Sequence, residues 1–195
     1  MKSSARADAA DVLLRVRSLL KKDRPKRAPI NVRAVAAEVA QLLERDAAGR
    51  RVIVDLRLHD AGTMLGDPVQ IQQVVLKLLM NAFDALDGRP AADRRVQLTT
   101  RAQKGVAVID VTDTGAGLTD DELARLFEPF YTTTPSGLGL GLAICRTIVD
   151  AHGGMITAAR NHGAGMTFSA TFPLVQSQQA DHQQQSLVRR RVEPT

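Results

Sequence analysis

The sequence predicts a two-layer α/β sandwich, not a doubly wound sheet. Two observations carry this. The strand-like runs RVQLTTRA with VAVIDVTD, and MITAAR with MTFSATF, come in pairs separated by short glycine-bearing turns, which is the pattern of antiparallel hairpins. Helical periodicity appears between these pairs without the regular strand–helix alternation that a parallel sheet requires.

Along the chain, residues 9–22 place Val12, Leu13, Val16, Leu19 and Leu20 on one helical stripe. That stripe is too short to be stable alone and is expected to pack on something, a second copy included, so a homodimer through this helix is one open reading. DRPKRAPIN, with Pro25 and Pro29, reads as a linker. A helix is expected from about Val32 to Asp46, closed by Gly49, and RVIVDLRL alternates like a half-buried strand. Asp67 and Pro68 have the chemistry of an N-cap and a first-turn residue, opening a long helix that runs to about Leu86 and stops at Gly88 and Pro90. The first hairpin turns through Gln103-Lys104-Gly105. A glycine loop follows, then an irregular stretch to Gly137, and a helix from about Leu138 to Ala151 that ends at His152-Gly153-Gly154. The second hairpin turns around His162 to Gly165. From Gln176 the chain is polar and Gln-rich, the composition of a disordered tail.

At 195 residues there is room for one well-buried domain with flexible ends. Aromatics are 3% with no Trp, so the core must be made of Ala, Val, Leu and Ile. No apolar run approaches the roughly 20 residues of a membrane span, and the N-terminus has no signal-peptide pattern. The single cysteine, Cys145, excludes an internal disulfide and a metal cluster, so a cytoplasmic location is expected. The net charge of +5 sits mostly in the first 51 residues and in Arg189, Arg190 and Arg191, with no aromatics interleaved. A nucleic-acid partner is therefore not expected.

Three segments can carry chemistry. On the long helix, Gln70, Gln73, Lys77, Asn81 and Asp84 share one face, which by itself reads more readily as solvated than as functional. Asn81 argues the other way, because a short amide held mid-helix among apolar neighbours suits a hard cation such as Mg²⁺. Asp113-Thr114-Gly115-Ala116-Gly117-Leu118 puts a carboxylate at a strand end before two glycines, where it can accept from an amine or simply form a turn. Gly137-Leu138-Gly139-Leu140-Gly141-Leu142 opens a helix, where backbone N–H groups attract an anion. This segment follows no strand and lacks the Lys-Ser/Thr ending of a P-loop, so neither a dinucleotide fingerprint nor a P-loop fits. Between the two glycine segments, Phe127, Phe130 and Tyr131 either pin a loop to the body or are offered to a partner.

In order, these segments resemble the ATP-binding domain of sensor histidine kinases, a fold shared with gyrase-type ATPases and some chaperones. QIQQVVLKLLMNAFDAL resembles its Asn box, DTGAGL its first glycine box, LFEPFYTT its Phe box, GLGLGLAICRTIVDAHGG its second glycine box and GAGMTF its final Gly-Thr element. The resemblance covers about residues 30–174, leaving 1–29 as a remnant of a dimerisation-hairpin helix plus linker and 175–195 as tail.

The resemblance implies a mixed, mostly antiparallel sheet of about five strands covered on one face by three helices. It implies ATP and Mg²⁺ as cofactors, with Asn81 as the Mg²⁺ ligand. Asp113 would accept from the adenine amine, Gly115 and Gly117 would shape the base pocket, and Thr167 would support Asp113. Gly137, Gly139 and Gly141 would hold the phosphates. Leu118 to Ser136 would form an ATP lid. By the same resemblance Asp84, Leu118, Phe130, Thr132, Thr133, Leu138, Leu140 and Leu142 count among the nucleotide-contacting positions.

The implied activity is transfer of the γ-phosphoryl group to a histidine on a separate acceptor domain, with a response regulator downstream in a two-component system. None of His59, His152, His162 and His182 stands in an acceptor-box context, and His152 matches a structural H-G-G. The acceptor is therefore expected outside this chain. A nucleotide-binding regulatory module without turnover is the alternative, and a serine kinase of the anti-sigma type is a third.

Two positions depart from the family pattern. The residue four before Asn81 is Lys77, where the kinases have Asn and the gyrase-type hydrolases Glu, and the Lys that often follows F-x-T-T is Thr134. Lys77 and Asn81 lie one turn apart. The expectation from spacing is that the ammonium repels a cation held at Asn81, with pairing to a phosphate oxygen or escape to solvent as the alternatives.

Overall fold

The computed structural model describes residues 27–132 and 138–175. A five-stranded sheet runs in the order β2 (Ile53–Leu58), β4 (Arg95–Gln103), β5 (Val106–Asp113), β7 (Met166–Pro173) and β6 (Met155–Arg160). Only β2–β4 is parallel; the other three pairings are antiparallel. The mixed, mostly antiparallel sheet is thus as expected. β4 and β5 are joined by the two-residue loop Lys104-Gly105, both at positive φ, whose twist matches that of the strands.

One sheet face buries Val96 and Leu98 of β4, Ala107, Ile109 and Val111 of β5, and Met166, Phe168, Ala170 and Phe172 of β7. Three helices cover it: α1 (Val32–Leu42), α3 (Pro68–Asp84) and α5 (Gly141–Ala151). α3 is central. Asp67 caps it as expected, its Oδ1 accepting from Val69 N at 3.0 Å, and Ile71, Val74, Val75, Leu78, Leu79, Ala82 and Phe83 are buried beneath. The end of α5 is locked to the start of α3 by His152. Its Nε2 accepts from Asp67 N at 3.1 Å and its Nδ1 lies 2.7 Å from the Ile148 carbonyl, so His152 is structural.

Four expectations need correction. A two-stranded antiparallel ribbon, β1 (Ala28–Asn31) with β3 (Thr63–Gly66), stands where a linker was expected, seated on the core through Ile30 and Met64. Four-residue strands are too short to show a period, and Pro29 reads as a breaker although a sheet edge tolerates it. The helix expected over Val32–Asp46 is two, α1 and α2 (Glu44–Gly49), divided at the buried Leu43. β2 is less buried than its alternation suggests: it is an edge strand, and Ile53 and Leu56 are exposed. The last helix starts at Gly141, one turn later than expected. The expected N-terminal helix at 9–22 and the tail beyond Val175 lie outside the described residues.

Candidate functional site

Asp113 ends β5 and, by strand alternation, points to the same side as Ile109 and Val111, into the helix layer. It is 1% exposed. Its Oδ1 accepts from Gly115 N at 2.8 Å and Met166 N at 3.3 Å. Burial pushes the carboxyl above its ordinary range, while the two N–H groups pull it back down. Tight backbone surrounds it. A Cβ at residue 115 would stand 2.6 Å from the Ala85 carbonyl oxygen, and one at residue 165 would stand 2.0 Å from the Asp113 carbonyl oxygen.

Thr167 does not support this carboxylate as expected. It faces the other side of β7, 2.8 Å from the Thr112 hydroxyl, and donates to Asn161 Oδ1 at 2.7 Å. Asn161 Nδ2 in turn donates to the Asp113 carbonyl at 2.9 Å. The residue touching the carboxylate is Met166. The alternation of MTFSATF contains this answer: Met166 and Phe168 share the buried face, so Thr167 must face away. Gly165 is marked in the sequence as part of GAGMTF, whereas Asn161 carries no signal beyond its place beside that turn.

The polar stripe on α3 is not a solvated face. Gln70, Gln73, Lys77, Asn81 and Asp84 are all partly buried, with α5 packed beside the helix. Asp84 stands apart from the other four. Its Oδ1 accepts from Arg50 Nη1 at 2.7 Å, tying α3 to the end of α2. That ion pair, not a ligand, accounts for its carboxylate. The Asn81 side chain has no hydrogen-bond partner among the described residues, while Lys77 Cδ lies 3.8 Å from where a Cβ at Gly141 would be.

The start of α5 is open. Asn31, Asp67 and Thr119 cap α1, α3 and α4 (Asp120–Arg125) with their side chains, but Leu140 offers none to α5. Among the described residues no side chain caps the first N–H groups of α5, which present the positive end of the helix dipole. Gly139 precedes them at φ +67°, and a Cβ there would stand 2.4 Å from the Phe130 carbonyl carbon. Phe130, also at positive φ, donates its N–H to the Gly139 carbonyl at 2.9 Å, so the two segments are clasped through backbone. Phe130 is 76% exposed, so its contact with this segment is made by the main chain.

The stretch expected to be irregular contains α4, opened by a Thr119/Glu122 capping box. Phe127 packs on the core, Tyr131 lies under Arg125 at 4.5 Å, and the Leu118 carbonyl accepts from Arg160 Nε at 2.7 Å. Gly117 takes positive φ. Leu142 packs on the core, Leu140 is partly buried, and Leu138 and Thr132 are exposed. Thr133 and Gly137 lie outside the described residues.

One helix face thus connects everything. Lys77, Asn81 and Ala85 succeed one another at four-residue steps, with Lys77 against the start of α5 and Ala85 against Gly115 beside Asp113. The two contacts are eight residues apart, about 12 Å at the rise of an α-helix. A buried acceptor for an amine stands at one end, an open helix N-terminus at the other, and an amide between them.

A family model described as histidine kinase-, DNA gyrase B-, and HSP90-like ATPase matches residues 66–176. The chain belongs to this family. It is 36% identical over 169 residues, 85% of its length, to the sensor histidine kinase TmoS of Ectopseudomonas mendocina, and 40% identical over 133 residues, 65% of its length, to the sensor protein FixL of Bradyrhizobium diazoefficiens. These matches span only 17% and 26% of those two relatives. Among solved structures, the catalytic domain of histidine kinase ThkA superposes with a TM-score of 0.67 at 26% identity, covering 76% of this chain and 95% of that one. Full-length ShkA in complex with AMPPNP gives 0.71 at 29%, covering 86% of this chain and 35% of that one. The family's ATP-binding catalytic fold is the one seen here. Among the described residues no helix is long and apolar enough to cross a membrane.

Proposed function

We propose that this domain binds Mg-ATP and transfers the γ-phosphoryl group to a histidine on a separate acceptor domain, as part of a two-component system that ends at a response regulator. The observation that carries the proposal is the single face of α3, which joins an amine acceptor at Asp113 to an anion site at the start of α5, with Asn81 between. The donor set fits a magnesium nucleotide. A buried carboxylate with both recorded bonds on Oδ1 can accept from the adenine amine, uncapped N–H groups suit phosphate oxygens, and an amide oxygen is a hard ligand.

In this reading Asp113 selects the base, and Gly115 and Gly117 leave room for its edge. The first turn of α5 orients the phosphates, and Asn81 holds the metal ion. The ion supplies charge neutralisation at the phosphates. No described side chain has to form a bond to the transferred group, so the contribution of the chain is placement and electrostatics. The segment containing α4, clasped at Phe130 and Gly139, keeps water from the site.

The test is incubation of the purified chain with labelled ATP, alone and with a separately produced acceptor domain. Acid-labile, base-stable phosphate is expected on the acceptor, and none on His59, His152, His162 or His182 of this chain. ATP binding without transfer to any acceptor would replace this reading with a regulatory nucleotide-binding module. Pairing of two copies through residues 9–22 is a further proposal, checked by sedimentation of the chain with and without that segment.

A further inference from the structure

The side chain of Lys77 runs from α3 to the start of α5. Its Cδ is 3.8 Å from the Cβ position at Gly141, the first residue of that helix. The ammonium is two bonds beyond this atom, so it stays beside the first turn. Its charge also acts on the buried thiol of Cys145, one turn further along α5, where it lowers a pKa that burial raises. Cations are favoured at helix C-termini, and here an ammonium meets an uncapped N-terminus that carries positive partial charge. Two positive features converge on one point, which is the arrangement an anion requires and a cation opposes.

This placement favours pairing with a phosphate oxygen, one of the readings that helical spacing leaves open. Spacing puts Lys77 and Asn81 on one face and suggests that the ammonium repels a metal ion at Asn81. The structure directs the lysine along the other contact of that face, toward the helix start.

We propose that Lys77 is a phosphate ligand, its ammonium pairing with the anionic tail of the nucleotide and sharing the charge neutralisation that a divalent ion at Asn81 provides. This rests on the nucleotide reading of the site and deepens it. The compact, flexible ammonium suits the role, because it acts as a point charge and needs no fixed fork geometry. The consequence is a site less dependent on Mg²⁺ than one without the lysine.

The experiment is calorimetric titration of the full chain and of Lys77→Met, Lys77→Gln and Lys77→Arg with ATP and with adenosine, in Mg²⁺ and in EDTA. Met keeps the stem and removes the charge. In EDTA, Lys77→Met and Lys77→Gln should bind ATP roughly ten-fold or more weakly than the parent, the scale of one charge-assisted hydrogen bond. Saturating Mg²⁺ should narrow that gap, adenosine affinity should be unchanged, and Lys77→Arg should recover most of the loss. Overlapping ATP isotherms for the parent, Lys77→Met and Lys77→Gln would overturn the proposal. So would tighter ATP binding with a lower Mg²⁺ midpoint in the charge-free variants, which would mean repulsion. Equal losses for adenosine and ATP in both variants would also overturn it, because the lysine would then shape the base pocket or the fold. A parent that binds neither adenosine nor ATP overturns the nucleotide reading itself.

Discussion

Replacing Asp113 by Asn separates the cost of a buried charge from its use. Burial holds the Asp113 carboxyl above the usual carboxylate range, with the Gly115 and Met166 N–H groups acting in the opposite direction. For a raised folded-state pKa, the associated stability is fully present below the unfolded value, near 3.9, and is lost as pH rises through the folded value. At neutral pH the parent therefore carries a destabilising buried charge. The amide oxygen of Asn can accept from both N–H groups that now bond Oδ1, at 2.8 and 3.3 Å, so the local frame survives the change. Asp113→Asn should melt at or above the parent at pH 7, and the difference should shrink as pH falls toward 4. Nucleotide binding should respond in the opposite sense. An amide that turns its NH₂ toward the adenine amine loses a hydrogen bond to a charged acceptor, about 1.5–3 kcal/mol, or roughly 10- to 150-fold in affinity. Thermal melts between pH 4 and 8, with ATP titrations at pH 7, measure both. Undiminished ATP affinity would refute the role of Asp113, and a melt far below the parent would refute the claim that its charge is a burden on the fold.

Gly165→Ala should be among the most damaging small substitutions, because its Cβ would stand 2.0 Å from the Asp113 carbonyl oxygen at a residue with φ +89°. Overpacking of this kind costs about 1–3 kcal/mol, which urea unfolding will show; an unchanged midpoint would contradict the geometry. Asp84→Asn should leave ATP affinity essentially intact and lower stability by about 1 kcal/mol or less, since both members of the Arg50 pair are partly exposed. A clear loss of ATP affinity would return Asp84 to the nucleotide site. Cys145, its pKa pushed up to about 12 chiefly by burial, should resist thiol reagents at pH 8 until the protein unfolds. Rapid labelling of the folded chain would show that α5 opens readily.

Much of the fold is legible in one dimension because the signals are local. Asp67 and Pro68 announce α3 through the chemistry of its first turn, and Lys104-Gly105 fixes a hairpin through the twist of two residues. The order of the five motifs is enough to indicate the family, since each motif is a short run whose residue types are set by its own backbone geometry. β1 and β3 escape this kind of reading because four residues make no period, and they are held by pairing across 63↔31 and 66↔28 together with the burial of Ile30 and Met64.

The family and the mixed α/β class are contained in the order of residues along the chain. Which of those residues does what depends on packing. The family resemblance counts Asp84 among the nucleotide positions, but Arg50 reaches it from a segment 34 residues away. A motif places Thr167 beside Asp113, but the N–H that reaches that carboxylate is Met166's, and Thr167 pairs instead with Thr112 and Asn161. Spacing sets Lys77 against a metal ion, and only the packing of α5 on α3 shows its charge beside an open helix end. The physical reason is the same in each case. Spacing along a helix or strand fixes which direction a side chain leaves the backbone, whereas the charge or hydrogen-bond partner it meets belongs to another element and is fixed only when the two pack.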